Sequence, residues 1–335
     1  MPELVADAPQ VVLLALDGLG SRQLAVRHSL APTLASMQGE EIVTVAPSTT
    51  ATALTSLVLG CPPGEHGVIG YRIEVGGDVL NILRWQVAGE DVRSSILPVS
   101  IQGKPAFSGS RPPVVTKAEF LGTGFTDAHL SDIRFHGWRQ SSTLVTTVRR
   151  LLRSGEPFIY AYYEGLDKVA HEYGLGEYFD AELMDVDRLV GDLASVLPPG
   201  AVLVVTADHG QVDVGDSLVA IDEDVMSHVS LLSGEGRFRW LHAKPGAAED
   251  LVEAARRAHG HQAWVVSRAE SISNGWFGPK VSEVAASRLG DVALAACEPL
   301  AFIDPADSGP YKLVSRHGSL TADEMMVPLL AIGSD

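Results

Sequence analysis

Cysteine is nearly absent from this chain: two in 335 residues, Cys61 and Cys297. Two thiols cannot build a disulfide framework or a cysteine-based zinc site, and their scarcity suits a reducing compartment. Basic residues are also few. Lys and Arg number 25 against 42 Asp and Glu, a net charge of −17. Affinity for a phosphate backbone comes from Lys and Arg, so the expected partners include no nucleic-acid polymer and no polybasic attachment to a membrane. Long apolar runs are missing as well. Val11–Leu16 is far shorter than the ~20 residues of a membrane span. The opening MPELVADAPQ is acidic and lacks the basic start of a signal peptide, which gives a cytoplasmic expectation.

What is present is a globular composition. Hydrophobic residues make up 46% of the chain and charged ones 20%, enough to bury a sizeable core. The length fits two domains or one large α/β domain with insertions. Apolar runs Val11–Leu16, Pro157–Tyr163 and Ala201–Ala207 end abruptly at Asp17, Glu164 and Asp208. Uninterrupted runs of this kind predict strands buried on both faces of a parallel sheet. Helical spacing runs over Ser142–Arg153 and over Glu177–Leu197, which Pro198-Pro199-Gly200 stops. The fold class is therefore α/β, with a mainly parallel central sheet flanked by helices.

Two stretches break this rhythm. Residues 72–135 are rich in Gly, Ser and Pro and show no clean period, so they read as an irregular, lid-like insertion. Residues 217–304 carry their own pattern: strands at Arg237–Ala243, Ala263–Ser267 and Asp291–Ala296, helices at Ala247–Ala258 and Lys280–Leu289. This predicts a small inserted α/β subdomain, after which the chain returns at Tyr311. The core then comprises residues 1–71, 136–216 and 305–335.

In an open parallel sheet, ligands bind beyond the carboxyl ends of the strands. Asp17, Asp208 and His209 fall there. A lone Asp-Gly after a strand is an ordinary turn, but an Asp-His pair at a strand exit has the chemistry of a metal ligand pair. Asp167 and His171 stand four residues apart, so on a helix they share a face. Taken alone they read as a structural pair, an ion pair or a helix cap, more often than as ligands. His317, in Arg316-His317-Gly318, is unremarkable by itself. Ser48, Thr49 and Thr50 follow Pro47 at a helix start, where a hydroxyl is ordinarily an N-cap and where the helix end also favours negative charge.

Together the segments LALDGLG, PSTTATALTSLVLGCPPGEHGVIGY, LDKVAHEYG, VVTADHGQ and RHGSLTADEMMVPLL resemble the alkaline phosphatase superfamily, on its type I phosphodiesterase/nucleotide pyrophosphatase branch. Their order matches the family, and all six metal-ligand positions hold Asp or His. The resemblance implies an alkaline-phosphatase-like core and two divalent metal ions, zinc first and manganese second. Asp167, His171 and His317 would hold one ion. Asp17, Asp208 and His209 would hold the other, which also binds the nucleophile Thr50, with Thr49 as the alternative if the register shifts. The implied activity is metal-dependent hydrolysis of a phosphate ester through a phosphothreonine intermediate, the substrate being a nucleotide or another small phosphodiester.

Two positions depart from the family pattern. Ala51 stands where the family places an aromatic residue beside the nucleophile. Tyr71 stands where it places a phosphoryl-binding Asn, and a Tyr hydroxyl can still donate there. An arginine for a terminal phosphate has no clear equivalent, Arg72 or an arginine of the lid being the candidates. The alternative functions are a phosphomonoesterase on the same scaffold, a phosphomutase, which Thr50 disfavours because those relatives carry Ser, and a non-catalytic metal-binding protein. Oligomeric state is left open.

Overall fold

The structure, a computed structural model, describes residues 5–307 and 312–334. Its centre is a seven-stranded sheet in the order Gln38–Val43, Met326–Gly333, Val202–Thr206, Val11–Leu16, Phe158–Tyr163, Pro113–Lys117, Arg134–Trp138. The last five of these are mutually parallel. Met326–Gly333 runs antiparallel to both its neighbours. Both faces of the sheet are covered, which is why the central strands are apolar without alternation. Val12, Leu14 and Leu16 pack against Leu144, Val148, Leu183 and Val186 of the helices Ser141–Arg153 and Glu177–Ser195. Ala15, Tyr160 and Tyr162 point the other way, toward Ala51, Leu54 and Val58 of the helix Thr50–Leu59.

The three strands and two helices read from the core sequence appear within two residues of their expected bounds. The stretch 72–135 is more regular than its sequence suggests. Pro113–Lys117 belongs to the central sheet, and Arg134–Trp138 joins it across the end of the stretch. Arg72–Val75, Asp78–Asn81, Gln86–Val87 and Glu90–Asp91 form a small antiparallel sheet of their own. Strands of two to five residues are too short to display a period. The Gly76-Gly77 turn, with φ of +65° and +95°, was the available hairpin signal.

Residues 217–304 hold a four-stranded antiparallel sheet, Val229–Gly234, Phe238–Ala243, Val292–Ala296, Ala263–Ser267 in spatial order. Helices Ala248–His259 and Glu283–Arg288 accompany it. The expected strands and helices of this segment are present, and Val229–Gly234 is additional. The return of the chain at Tyr311 lies outside the described residues.

One buried contact ties this segment to the core. Arg237, fully buried, donates from Nε and Nη2 to the two carboxylate oxygens of Glu324 at 2.7 and 2.8 Å. Its Nη1 donates to the carbonyls of Glu298 and Leu300, both at 2.8 Å. Glu324 also accepts from Ser319 N at 2.9 Å and from the Thr321 hydroxyl, so the pair holds the loop that contains His317. Removing one partner leaves a buried charge without compensation. Arg237→Ala is therefore expected to destabilise the protein by about 3–5 kcal/mol, read as a lowered midpoint in urea unfolding.

Candidate active site

The parallel register sets the site. Val11–Leu16 pairs with Phe158–Tyr163 on one side and with Val202–Thr206 on the other. The residues that follow these strands, Asp17, Glu164 and Asp208, therefore emerge at the same sheet edge. The antiparallel strand Met326–Gly333 enters the sheet from that edge, so the segment before it, with His317, lies over the site. Gly18, at φ +75°, lets the chain turn under the Asp167 helix. A Cβ there would stand 3.0 Å from Asp167 Cα, so the Asp-Gly pair makes a turn that a side chain would crowd.

Each buried carboxylate has one oxygen tied and one free. Asp17 Oδ2 accepts from the Tyr162 hydroxyl, while Oδ1 has no partner. Asp208 Oδ1 accepts from Gly18 N at 3.1 Å and His209 N at 3.0 Å, while Oδ2 has no partner. Burial, then the neighbouring Asp208 and Asp167, pushes the Asp17 carboxyl well above its ordinary range. Burial likewise raises Asp208, against the opposing influence of His209.

The three histidines are oriented in one way. Nδ1 of His171, His209 and His317 faces the backbone carbonyls of Ser315, Gly210 and Ser48 at 2.7, 3.0 and 2.9 Å. Donation from Nδ1 to a carbonyl orients each ring so that Nε2 faces the carboxylates. His171 Nε2 is 3.3 Å and His317 Nε2 is 3.6 Å from Asp167 Oδ1. His209 Nε2 is 3.4 Å from Asp17 Oδ1 and 3.5 Å from Asp208 Oδ2. Burial, then His209 and His171, holds His317 well below its ordinary pKa, so it is a neutral imidazole.

Two clusters result. Asp167, His171 and His317 form one, and Asp17, Asp167 and His209 the other, with ligand atoms within 4.8 Å of one another in each. Asp167 thus faces both groups, where the resemblance assigned it to one. Asp208 borders the second through its free Oδ2. Imidazole nitrogens and carboxylate oxygens converge here, and Asp17 Oδ1 and Asp208 Oδ2 have no donor. A divalent cation satisfies such a set, and mixed N and O ligands suit zinc or manganese. Gln211, which the sequence reading did not single out, donates from Nε2 to Asp167 Oδ1 and accepts from the Ser315 hydroxyl at 3.0 Å.

Thr50 opens the helix Thr50–Leu59, whose cap residue Thr49 makes no side-chain capping bond. Its hydroxyl lies 3.1 Å from His209 Nε2, and the residue is 8% exposed. Thr49 sits one residue back, beside Glu235. Two cavities meet at Thr50 and Asp167. One, of about 300 Å³, is lined by Tyr71, His171, His317 and Arg316 among others. The other, of about 450 Å³, is lined by Phe120, Phe125, Tyr160 and Tyr162. Ala51 is fully buried in the core and lines neither cavity. Burial raises the Tyr71 hydroxyl's pKa, so it remains a donor.

Other candidates lie elsewhere. Arg72 is buried and bonded to Asp304 at 2.5 Å, so it is unavailable to a phosphate. Lys168 is exposed. His66 packs as a turn residue, between the Ser56 hydroxyl at 2.8 Å and Val68 N at 3.1 Å, and burial lowers its pKa to about 3. No helix of the described residues is long and apolar enough to cross a membrane.

Solved structures share this fold. Murine ectonucleotide pyrophosphatase/phosphodiesterase 5 superposes with a TM-score of 0.73 at 16% identity, covering 97% of this chain and 88% of the other. An inactive variant of it, in complex with AMP, gives the same TM-score at 15% identity, with the same coverage. Phosphonoacetate hydrolase from Sinorhizobium meliloti 1021, in complex with phosphonoformate, gives 0.68 at 19% identity, over 96% of this chain and 89% of that one. A comparison with curated proteins finds no match. Residues 11–320 match the family described as type I phosphodiesterase/nucleotide pyrophosphatase, and the chain belongs to that family of phosphoester hydrolases.

Proposed function

We propose that this phosphoester hydrolase acts on small phosphodiesters, with Thr50 as nucleophile. The observation that carries the reading is the position of the Thr50 hydroxyl, at an uncapped helix start and beside the convergent ligands. Asp167, His171 and His317 would hold one divalent ion, and Asp17, Asp208 and His209 the second, zinc being the first candidate and manganese the next. When bound, the ions supply the positive charge that favours an ionised Thr50 hydroxyl and offsets charge on the phosphoryl oxygens.

The chain's own residues do the rest. The helix start presents backbone N–H groups and a positive field to the phosphoryl group. Tyr71 donates its hydroxyl to a phosphoryl oxygen. Thr50 Oγ forms a bond to phosphorus as the bond to the leaving alcohol breaks, and the leaving oxygen takes a proton from solvent. Water then cleaves the phosphothreonine, releasing the phosphate monoester and restoring the hydroxyl. The aromatic cavity suits a flat, apolar substituent such as a nucleobase. Complexes of the structural relatives with AMP and with phosphonoformate accord with a small phosphorylated or phosphonylated substrate.

Thr50→Ala should reduce turnover of bis-p-nitrophenyl phosphate by about a thousandfold or more while metal content, read by elemental analysis, stays unchanged. Full activity in this variant would remove Thr50 from the mechanism. Asp208→Asn should lower metal content and turnover together. Zinc returned to chelator-stripped protein at about 100 times its Kd should add about 2.7 kcal/mol of stability, seen as a raised melting temperature that Asp208→Asn diminishes.

A further inference from the structure

Arg84 and Arg316 share the wall of the 300 Å³ cavity with Thr50, His171 and His317. Among the described residues neither guanidinium forms an ion pair, although acids outnumber bases in this chain by 42 to 25. The neighbouring arginines are all occupied. Arg72 is bonded to Asp304, Arg237 to Glu324, and Arg239 to Asp307 at 3.3 Å. Arg316 is half-buried, and its Nε is buried with no hydrogen-bond partner. A guanidinium so placed loses water without gaining an acceptor. Its head packs on Gly236, where a Cβ would come within 3.0 Å of Nη1. Arg84 is exposed at the mouth, near the Tyr71 hydroxyl.

We propose that Arg316, with Arg84 at the mouth, forms a subsite for a second anionic group of the substrate, a carboxylate or a further phosphate. This deepens the proposed hydrolysis and rests on it for the placement of the reacting phosphoryl group at Thr50. Two acids on the same wall, Asp307 and Glu235, favour the charged form of Arg316 without forming an ion pair with it. Asp307 is bridged to Arg239, and burial pushes the Glu235 carboxyl well above its ordinary range, toward its neutral form. The cavity also extends past the nucleophile to Leu313 and Asp307, farther than a single phosphoryl group at Thr50 requires. A planar guanidinium meets either anion through two parallel N–H bonds. The aromatic cavity, which meets this one at Thr50 and Asp167, leaves this arm free for the charged end.

Calorimetry on metal-loaded protein carrying Thr50→Ala tests the subsite without turnover. The probes are methylphosphonate, with one anionic group, and phosphonoacetate and methylenediphosphonate, with two. At least one two-anion ligand should bind about tenfold tighter than methylphosphonate or more, and which of them does so tells carboxylate from phosphate. Arg316→Gln, and to a lesser degree Arg84→Gln, should remove most of that advantage while methylphosphonate binding is kept. Arg316→Lys should restore part of it. A structural role would weaken all three ligands together. The subsite is overturned if two-anion ligands hold no advantage, if the advantage survives both Gln variants, or if methylphosphonate loses as much as the others. The proposed hydrolysis fails separately, if wild-type protein cannot cleave bis-p-nitrophenyl phosphate.

Discussion

Three carboxylates, Asp17, Asp167 and Asp208, are gathered at one sheet edge with too few protein donors to satisfy them. The rest of the site is arranged around that electrostatic problem. Tyr162 and Gln211 each take one oxygen, and two backbone N–H groups share a third. Oδ1 of Asp17 and Oδ2 of Asp208 stay bare, opposite Nε2 of His209. In a medium of low polarity this arrangement is costly without positive charge. Positive charge held there would let an acidic protein receive an anionic substrate. The divalent ions proposed for the site would reverse the local sign of a chain whose overall charge is −17.

The scaffold makes that crowding affordable. Parallel strands hydrogen-bonded in register bring their carboxyl ends to one line, and helices on both faces hold the register. The antiparallel strand Met326–Gly333 is the exception with a purpose, because it brings the His317 loop back over the same edge. The Arg237–Glu324 pair fixes that loop from the inserted segment. A segment that looks peripheral in sequence is therefore coupled to ligand geometry, and it also supplies Glu235 and Gly236 to the cavity wall. Substrate choice and site rigidity share one support.

The two cavities divide the surroundings of Thr50 by polarity. Aromatic side chains from Phe120 to Tyr162 line one. Histidines, arginines and Tyr71 line the other. A substrate with an apolar body on one side of the phosphorus and a charged group on the other would match both. The aromatic wall comes from a part of the chain far in sequence from Ala51, so a missing aromatic beside the nucleophile does not leave the site polar.

Much of the core was legible because its signals are local. Apolar runs ending in Asp17 and in Asp208-His209, and the four-residue spacing of Asp167 and His171, depend only on neighbours along the chain. The strands at Ala263–Ser267 and Val292–Ala296 were equally plain. Short strands such as Gln86–Val87 have no period to read, and Arg134–Trp138 is an edge strand without a buried pattern. The sequence by itself determined which runs form the central strands, and so put Asp17, Asp208 and His209 at their exits. Tertiary structure alone decided that Tyr162 ties Asp17, that Gln211 steers Asp167, that Asp167 faces both ligand groups, and that Arg72 is consumed by Asp304 while Arg316 is left free. Those outcomes depend on pairings across tens to hundreds of residues, where direction in space, and not spacing along the chain, sets which donor meets which acceptor.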